Sequence, residues 1–143
     1  MSVSGLDLAI ERSHQACTEF VTGDPAPLME AFSHRDDVTL ANPWGPPVRG
    51  WKQVAPTIER AATNWHEGVG EGFDPVTKYE SRELAYTVEI ERYRAKLGDG
   101  NEVVQVALRV TQVYRPEDGI WKIMHRHADL ITSARTAESL ISK

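Results

Sequence analysis

The spacing of apolar residues changes half-way along the chain. Up to Trp65 they recur every three or four positions, and from Val76 onward they alternate with polar ones. In the first half, Leu6, Ile10, Cys17, Phe20 and Val21 share one helical face, with Ser4 as N-cap, Asp7 three residues on and Gly23 as the stop. Asp24 and Pro25 start a second, short helix that turns Leu28, Met29 and Phe32 inward. A polar loop over 33–37 leads to a short strand over 38–41, then to the proline-stiffened segment Asn42-Pro43-Trp44-Gly45-Pro46-Pro47. A third helix is predicted over 51–65, its stripe formed by Trp51, Val54, Ile58, Ala61, Ala62 and Trp65. Pro56 lies on its polar side and predicts a late start or a kink. Gly68, Gly70 and Gly72 read as a flexible connection.

The second half reads as strands. An edge strand is predicted over 76–81, a long strand over 84–96, a turn at 98–101 and a second long strand over 102–115. After the turn Pro116-Glu117-Asp118-Gly119 comes a last strand, on which Trp121, Ile123, His125, His127 and Asp129 share a face. Lys122, Met124, Arg126 and Ala128 take the other, and a one-residue bulge would exchange the two sets. The fold class is therefore α+β: a sheet of about four long strands against three N-terminal helices, in one domain with a core over 6–130 and a polar tail over 131–143. Both faces of the long strands are partly apolar. Helices cover one face, and a second copy of the chain is the simplest cover for the other. Glu89 and Glu91 are expected on that outer face.

Composition narrows the partners. A net charge of -5 without any Lys/Arg run argues against nucleic acid or an anionic membrane as the main partner. No apolar stretch approaches a membrane span, and the N-terminal residues lack a basic-then-apolar leader, so a cytoplasmic location is expected. The single cysteine, Cys17, sits on a helical apolar stripe and reads as a buried small hydrophobe rather than a reactive thiol.

Candidate chemistry concentrates on the last strand. His127 beside Asp129 has the makings of an acid/base pair, with Arg109 on the neighbouring strand as an anion or oxyanion partner. A metal reading of His125, His127 and Asp129 is disfavoured, because collinear strand ligands splay apart. The bland reading is a set of hydrogen-bonded structural residues behind Trp121, and it is preferred for His125. Trp44 has no periodic reason to be apolar, which marks it as pocket lining. Asn42 either orients a ligand or caps the turn before Pro43. His34, in the loop before the first strand, reads as solvent-exposed.

The order of Gly23-Asp24, Asn42-Pro43-Trp44-Gly45 and Trp121-Lys122-Ile123-Met124-His125-Arg126-His127 resembles the nuclear-transport-factor-2-like superfamily, and within it the SnoaL-like group. That resemblance implies a cone, a bent antiparallel sheet wrapped around the helices, with an apolar cavity at its wide end and a homodimer through the outer sheet face. Steroid isomerases of the superfamily carry a base Asp at the position matching Asn42 and a Tyr at the position matching Ala16. An amide cannot take that proton, so that activity is not expected. Thr111, Val113, Tyr114, Gly119, Trp121, Ile123, His125 and His127 are also similar in order to the association domain of calcium/calmodulin-dependent kinase II, which is not catalytic. The expectation is a homodimer binding a small, largely apolar organic molecule. Any chemistry would be cofactor-free and metal-free isomerisation, dehydration or hydrolysis by His127 and Asp129, with Asn42, Trp44, Tyr86, Arg109, Trp121 and His125 lining the site. The alternative is a non-catalytic binding or oligomerisation module.

Overall fold

The computed structural model describes residues 5–141, so the Ser4 cap lies outside the described residues, as does the end of the tail. Two helices open the chain, α1 (Gly5–Phe20) and α2 (Ala26–Ala31). Asp24 Oδ1 accepts the Ala26 N–H at 3.1 Å, just ahead of α2, whose N-cap position is Pro25. Two short strands follow, β1 (Thr39–Ala41) and β2 (Val48–Arg49), then α3 (Trp51–Ala62) and four long strands: β3 (Trp65–Glu80), β4 (Ala85–Leu97), β5 (Val104–Glu117) and β6 (Ile120–Asp129). A turn of 3-10 helix, Ala137–Leu140, lies in the tail.

The strands form one open, curved sheet in the order β2-β1-β6-β5-β4-β3, antiparallel except where β1 runs parallel to β6. The short strand expected over 38–41 is β1, and only β2 lacks a predicted counterpart, because a two-residue strand is too short to alternate visibly. Between β5 and β6 the loop is only Asp118-Gly119, both at positive φ, the geometry that lets a two-residue hairpin follow the strand twist. Ala85, Tyr93 and Ala95 of β4, Leu108, Val110 and Tyr114 of β5, and Ile123 and Ala128 of β6 are buried beneath the helices with Leu6, Ala16, Cys17, Val54 and Ile58.

Trp65, expected on the α3 stripe, instead opens β3, because α3 ends at Ala62. Three further expectations change. First, the glycine segment is strand, not a flexible connection: β3 runs through it with register shifts after His66, Gly70 and Pro75. Gly68 and Gly70 are there for close approach. A Cβ on Gly68 would stand 2.2 Å from the Val21 carbonyl oxygen, and one on Gly70 would stand 3.0 Å from Thr18 Oγ1. Gly68→Ala should therefore cost about 1–3 kcal/mol by forcing β3 off α1. Urea denaturation reads this directly, and a loss of only a few tenths would mean the strand can shift freely.

Second, β6 carries a bulge. Val113 pairs with His125 while Tyr114 pairs with Ile123, leaving Met124 as an extra residue. Alternation restarts on the opposite foot after it. Ile123 still faces the helices, but beyond the bulge Arg126 and Ala128 point inward, and His125, His127 and Asp129 point outward.

Third, Glu89 and Glu91 are on the helix-facing side, 7% and 1% exposed. Each has a partner that offsets its desolvation: His14 for Glu89 and Arg126 for Glu91. The outer face instead carries half-buried Val88, Ile90, Thr111 and Val113.

Candidate functional site

A cavity of about 310 Å³ opens between the sheet and the helices at the end of β4 and β6 and the start of β5. Its walls come from every layer: Phe20 and Val21 close α1, Ile58 and Ala61 belong to α3, and Val106, Leu108 and Ala128 rise from the sheet. Trp65 packs edge-on against Tyr93 with ring centroids 5.9 Å apart, and Trp44 tilts over Trp65 at 5.7 Å. Trp44 is half exposed, so it stands at the rim. Asn42 lines the cavity beside it, and its Oδ1 accepts the Trp44 N–H at 3.0 Å, so it also caps the turn.

Among the described residues, one charged side chain reaches the wall: Arg126. It crosses over β5 to β4, where Nη1 donates to Glu91 Oε2 at 2.9 Å and Nη2 donates to Glu91 Oε1 at 2.8 Å. Nη1 donates again to Gln112 Oε1 at 2.7 Å, and Gln112 Nε2 in turn donates to Ser13 Oγ and Tyr114 Oη. Tyr93 Oη donates to Glu91 Oε1 at 2.6 Å. Burial alone would raise the Glu91 carboxyl, but the Arg126 charge and hydrogen bonds, with Tyr93, more than offset it and hold it below its ordinary range. Burial pushes the Tyr93 phenol well above its ordinary value. The Cys17 thiol, also in the wall, is pushed up to about 12 by burial and by Glu91, so it stays protonated, as the sequence led one to expect.

Of the sequence-selected residues, Asn42 and Trp44 line this cavity. His125, His127, Asp129, Tyr86 and Arg109 do not, because the Met124 bulge and the strand parity put them on the outer face. There Arg109 makes paired hydrogen bonds to Asp129 at 3.0 and 2.6 Å, and His127 Nε2 lies 3.2 Å from Asp129 Oδ2. Burial would raise the Asp129 carboxyl, but Arg109 and the Ile131 N–H outweigh it and hold it low. His125 Nδ1 is hydrogen-bonded to Thr39 Oγ1 at 2.7 Å, and burial, then the nearby His127, lowers its pKa. Tyr86 stacks on Tyr79. Trp121 precedes the bulge and is half-buried against the core, beside Gly5. His34 is exposed, as expected, and there it stacks on Trp51 at 3.9 Å and bonds the Met29 carbonyl. Among the described residues, no three His, Cys, Asp or Glu side chains converge as a metal site would require.

Sequence reasoning missed Arg126, Glu91 and Tyr93. Glu91 and Tyr93 do share a predicted face, which was the available signal; Arg126 had none, since nothing in Ile123-Met124-His125 announces the bulge. The placement makes a simple prediction: His127→Ala should leave ligand retention in the cavity unchanged in native mass spectrometry. A lost ligand would put His127 back in the site.

The comparisons with known proteins agree with this architecture. A family model described as SnoaL-like domain matches residues 10–132. The chain belongs to the SnoaL-like domain family. No curated protein matches this SnoaL-like chain in sequence. Among solved structures it is similar to a nuclear transport factor 2-like superfamily protein from Salmonella enterica serovar Typhimurium, with TM-score 0.76 at 18% identity over 93% of each chain. It is similar to a candidate dehydratase of the NTF2-like family from Streptomyces avermitilis, with TM-score 0.73 at 16% identity, over 90% of this chain and 96% of that one. A ketosteroid isomerase-like protein from Erwinia carotovora atroseptica matches with TM-score 0.71 at 16% identity, over 88% of this chain and 96% of that one. At these identities the SnoaL-like chain shares their fold. No helix among its described residues is long and apolar enough to cross a membrane.

Proposed function

We propose that this SnoaL-like protein binds one small, largely apolar organic molecule in the cavity between sheet and helices. The observation that carries the reading is the cavity itself: about 310 Å³, walled mostly by aliphatic and aromatic side chains, with a few polar ones, Asn42, Gln105 and Arg126, among them. Binding is favoured over acid/base turnover by the state of those groups. Glu91 has both oxygens engaged by Arg126 and Tyr93, and Cys17 and Tyr93 hold their protons, so the wall offers no free base poised near neutrality among the described residues. The family resemblance and the dehydratase- and isomerase-like names of its structural neighbours supply the competing, catalytic reading.

Pairing of two copies through the outer sheet face belongs to the same proposal. It is supported by Val88, Ile90 and Val113, with Thr111 beside them, on the side of the sheet that no helix of the described residues covers. Native mass spectrometry of gently purified protein tests both parts. A dimer carrying an organic adduct supports them; a monomer removes the pairing, and an apo protein that takes up no apolar probe removes the cavity function.

A further inference from the structure

The Arg126 guanidinium is only partly used, and the unused part identifies the class of ligand. Arginine has five N–H donors in one plane. Three are taken: two by the Glu91 carboxylate across the end of the group and one by Gln112. The Nε–H and the second hydrogen on Nη2 have no acceptor among the described residues. These two hydrogens lie along one edge of the plane and point the same way, forming a fork. Nε itself is not sealed in, because every fully enclosed side-chain nitrogen or oxygen of the described residues has a partner, whereas Nε has none. Arg126, 8% exposed, meets open space where it forms the cavity wall.

Charge selects among ligands that fit a fork. Glu91 already neutralises Arg126, and no other wall residue among those described is charged. A ligand carboxylate would bring an unmatched negative charge into an apolar enclosure beside Glu91. A hydrocarbon would leave two donors of a cation unmet. The geometry points to an uncharged apolar ligand bearing a carbonyl-type oxygen, a ketone, ester or lactone, received by the Nε–Nη2 edge of Arg126. The hydrocarbon part lies against Trp65, Ile58, Val106 and Ala128. The inference rests on the proposal that the cavity binds a small molecule.

A matched set of probes separates the two claims: indane, indanone and indane carboxylate, titrated by calorimetry into the native protein. Indanone is expected to bind roughly tenfold or more tightly than indane, the ratio for one hydrogen bond to a charged donor, with the carboxylate weakest. Arg126→Lys keeps a cation for Glu91 but removes the fork, and should make indane and indanone equal. Should that variant fold poorly, the pair Glu91→Leu/Arg126→Met removes both charges together and should give the same equality. Equal binding of indane and indanone to the native protein overturns this inference while leaving the cavity function intact. Tightest binding by the carboxylate overturns the choice of an uncharged ligand, retention of the ketone preference without the fork overturns the role of Arg126, and failure of all three probes overturns the binding function itself.

Discussion

Arg126→Met is expected to cost about 3–5 kcal/mol of folding stability at neutral pH, because it leaves Glu91 buried without its cation. The native pair explains the size. Glu91 is 1% exposed, and two of the hydrogen bonds that compensate its desolvation come from Arg126. Tyr93 Oη alone would remain. The pH dependence should change sign. In the native protein the folded-state Glu91 pKa is lowered, so its contribution is present above the unfolded carboxyl value near ~4.3 and is lost as pH falls through the folded value. In the variant, burial without Arg126 raises that pKa above ~4.3. The Glu91 term then favours folding at acid pH and is lost as pH rises through the raised value. Urea midpoints of variant and native protein should therefore converge on acidification and diverge toward neutrality, and adding Glu91→Gln should recover most of the loss. A deficit below about 1 kcal/mol, or one that is constant with pH, would show that the pair does not carry this load.

The sequence carried the architecture further than it carried the site, and particular residues show why. Helical periodicity predicted α1 and α3 because their buried residues, such as Leu6, Cys17, Val54 and Ile58, are spaced by the helix itself. The cluster Pro116-Glu117-Asp118-Gly119 announced the last hairpin, although Pro116 and Glu117 still belong to β5 and only Asp118 and Gly119 form the loop. Strand alternation correctly sorted β4 into two sets of residues, yet which set faces the helices depends on partners distant in sequence. His14 and Arg126 draw Glu89 and Glu91 inside, 75 and 35 residues away along the chain. The bulge at Met124 is worse still, since one inserted residue moves every later side chain to the other face. The motif that looked reactive, His125 to Asp129, was reversed by it, while Arg126 took the inner position. Asn42 and Trp44 fall on the cavity wall because proline-stiffened loop residues do not depend on strand register.

Val106→Trp should abolish binding of apolar probes without harming the fold. Val106 is half-buried, stands opposite Tyr93 on the neighbouring strand and lines the cavity. An indole there enters space that a ligand would otherwise fill, so the overpacking that a large side chain causes in a dense core is largely avoided. Indanone affinity is expected to fall at least ~100-fold, equivalent to about 2.7 kcal/mol, because the ligand must displace a covalently held aromatic ring. The melting temperature should stay within a few degrees of the native value or rise, since filling a void restores dispersion contacts that its lining lacks. The two readouts together separate a blocked site from a damaged protein. Weak binding with a collapsed melting transition would mean only that β5 cannot accommodate the ring, and the smaller Ala128→Val on the facing strand then becomes the test. Full affinity in a well-folded Val106→Trp protein would place the ligand elsewhere, and with it would go the reading of this cavity as the working site.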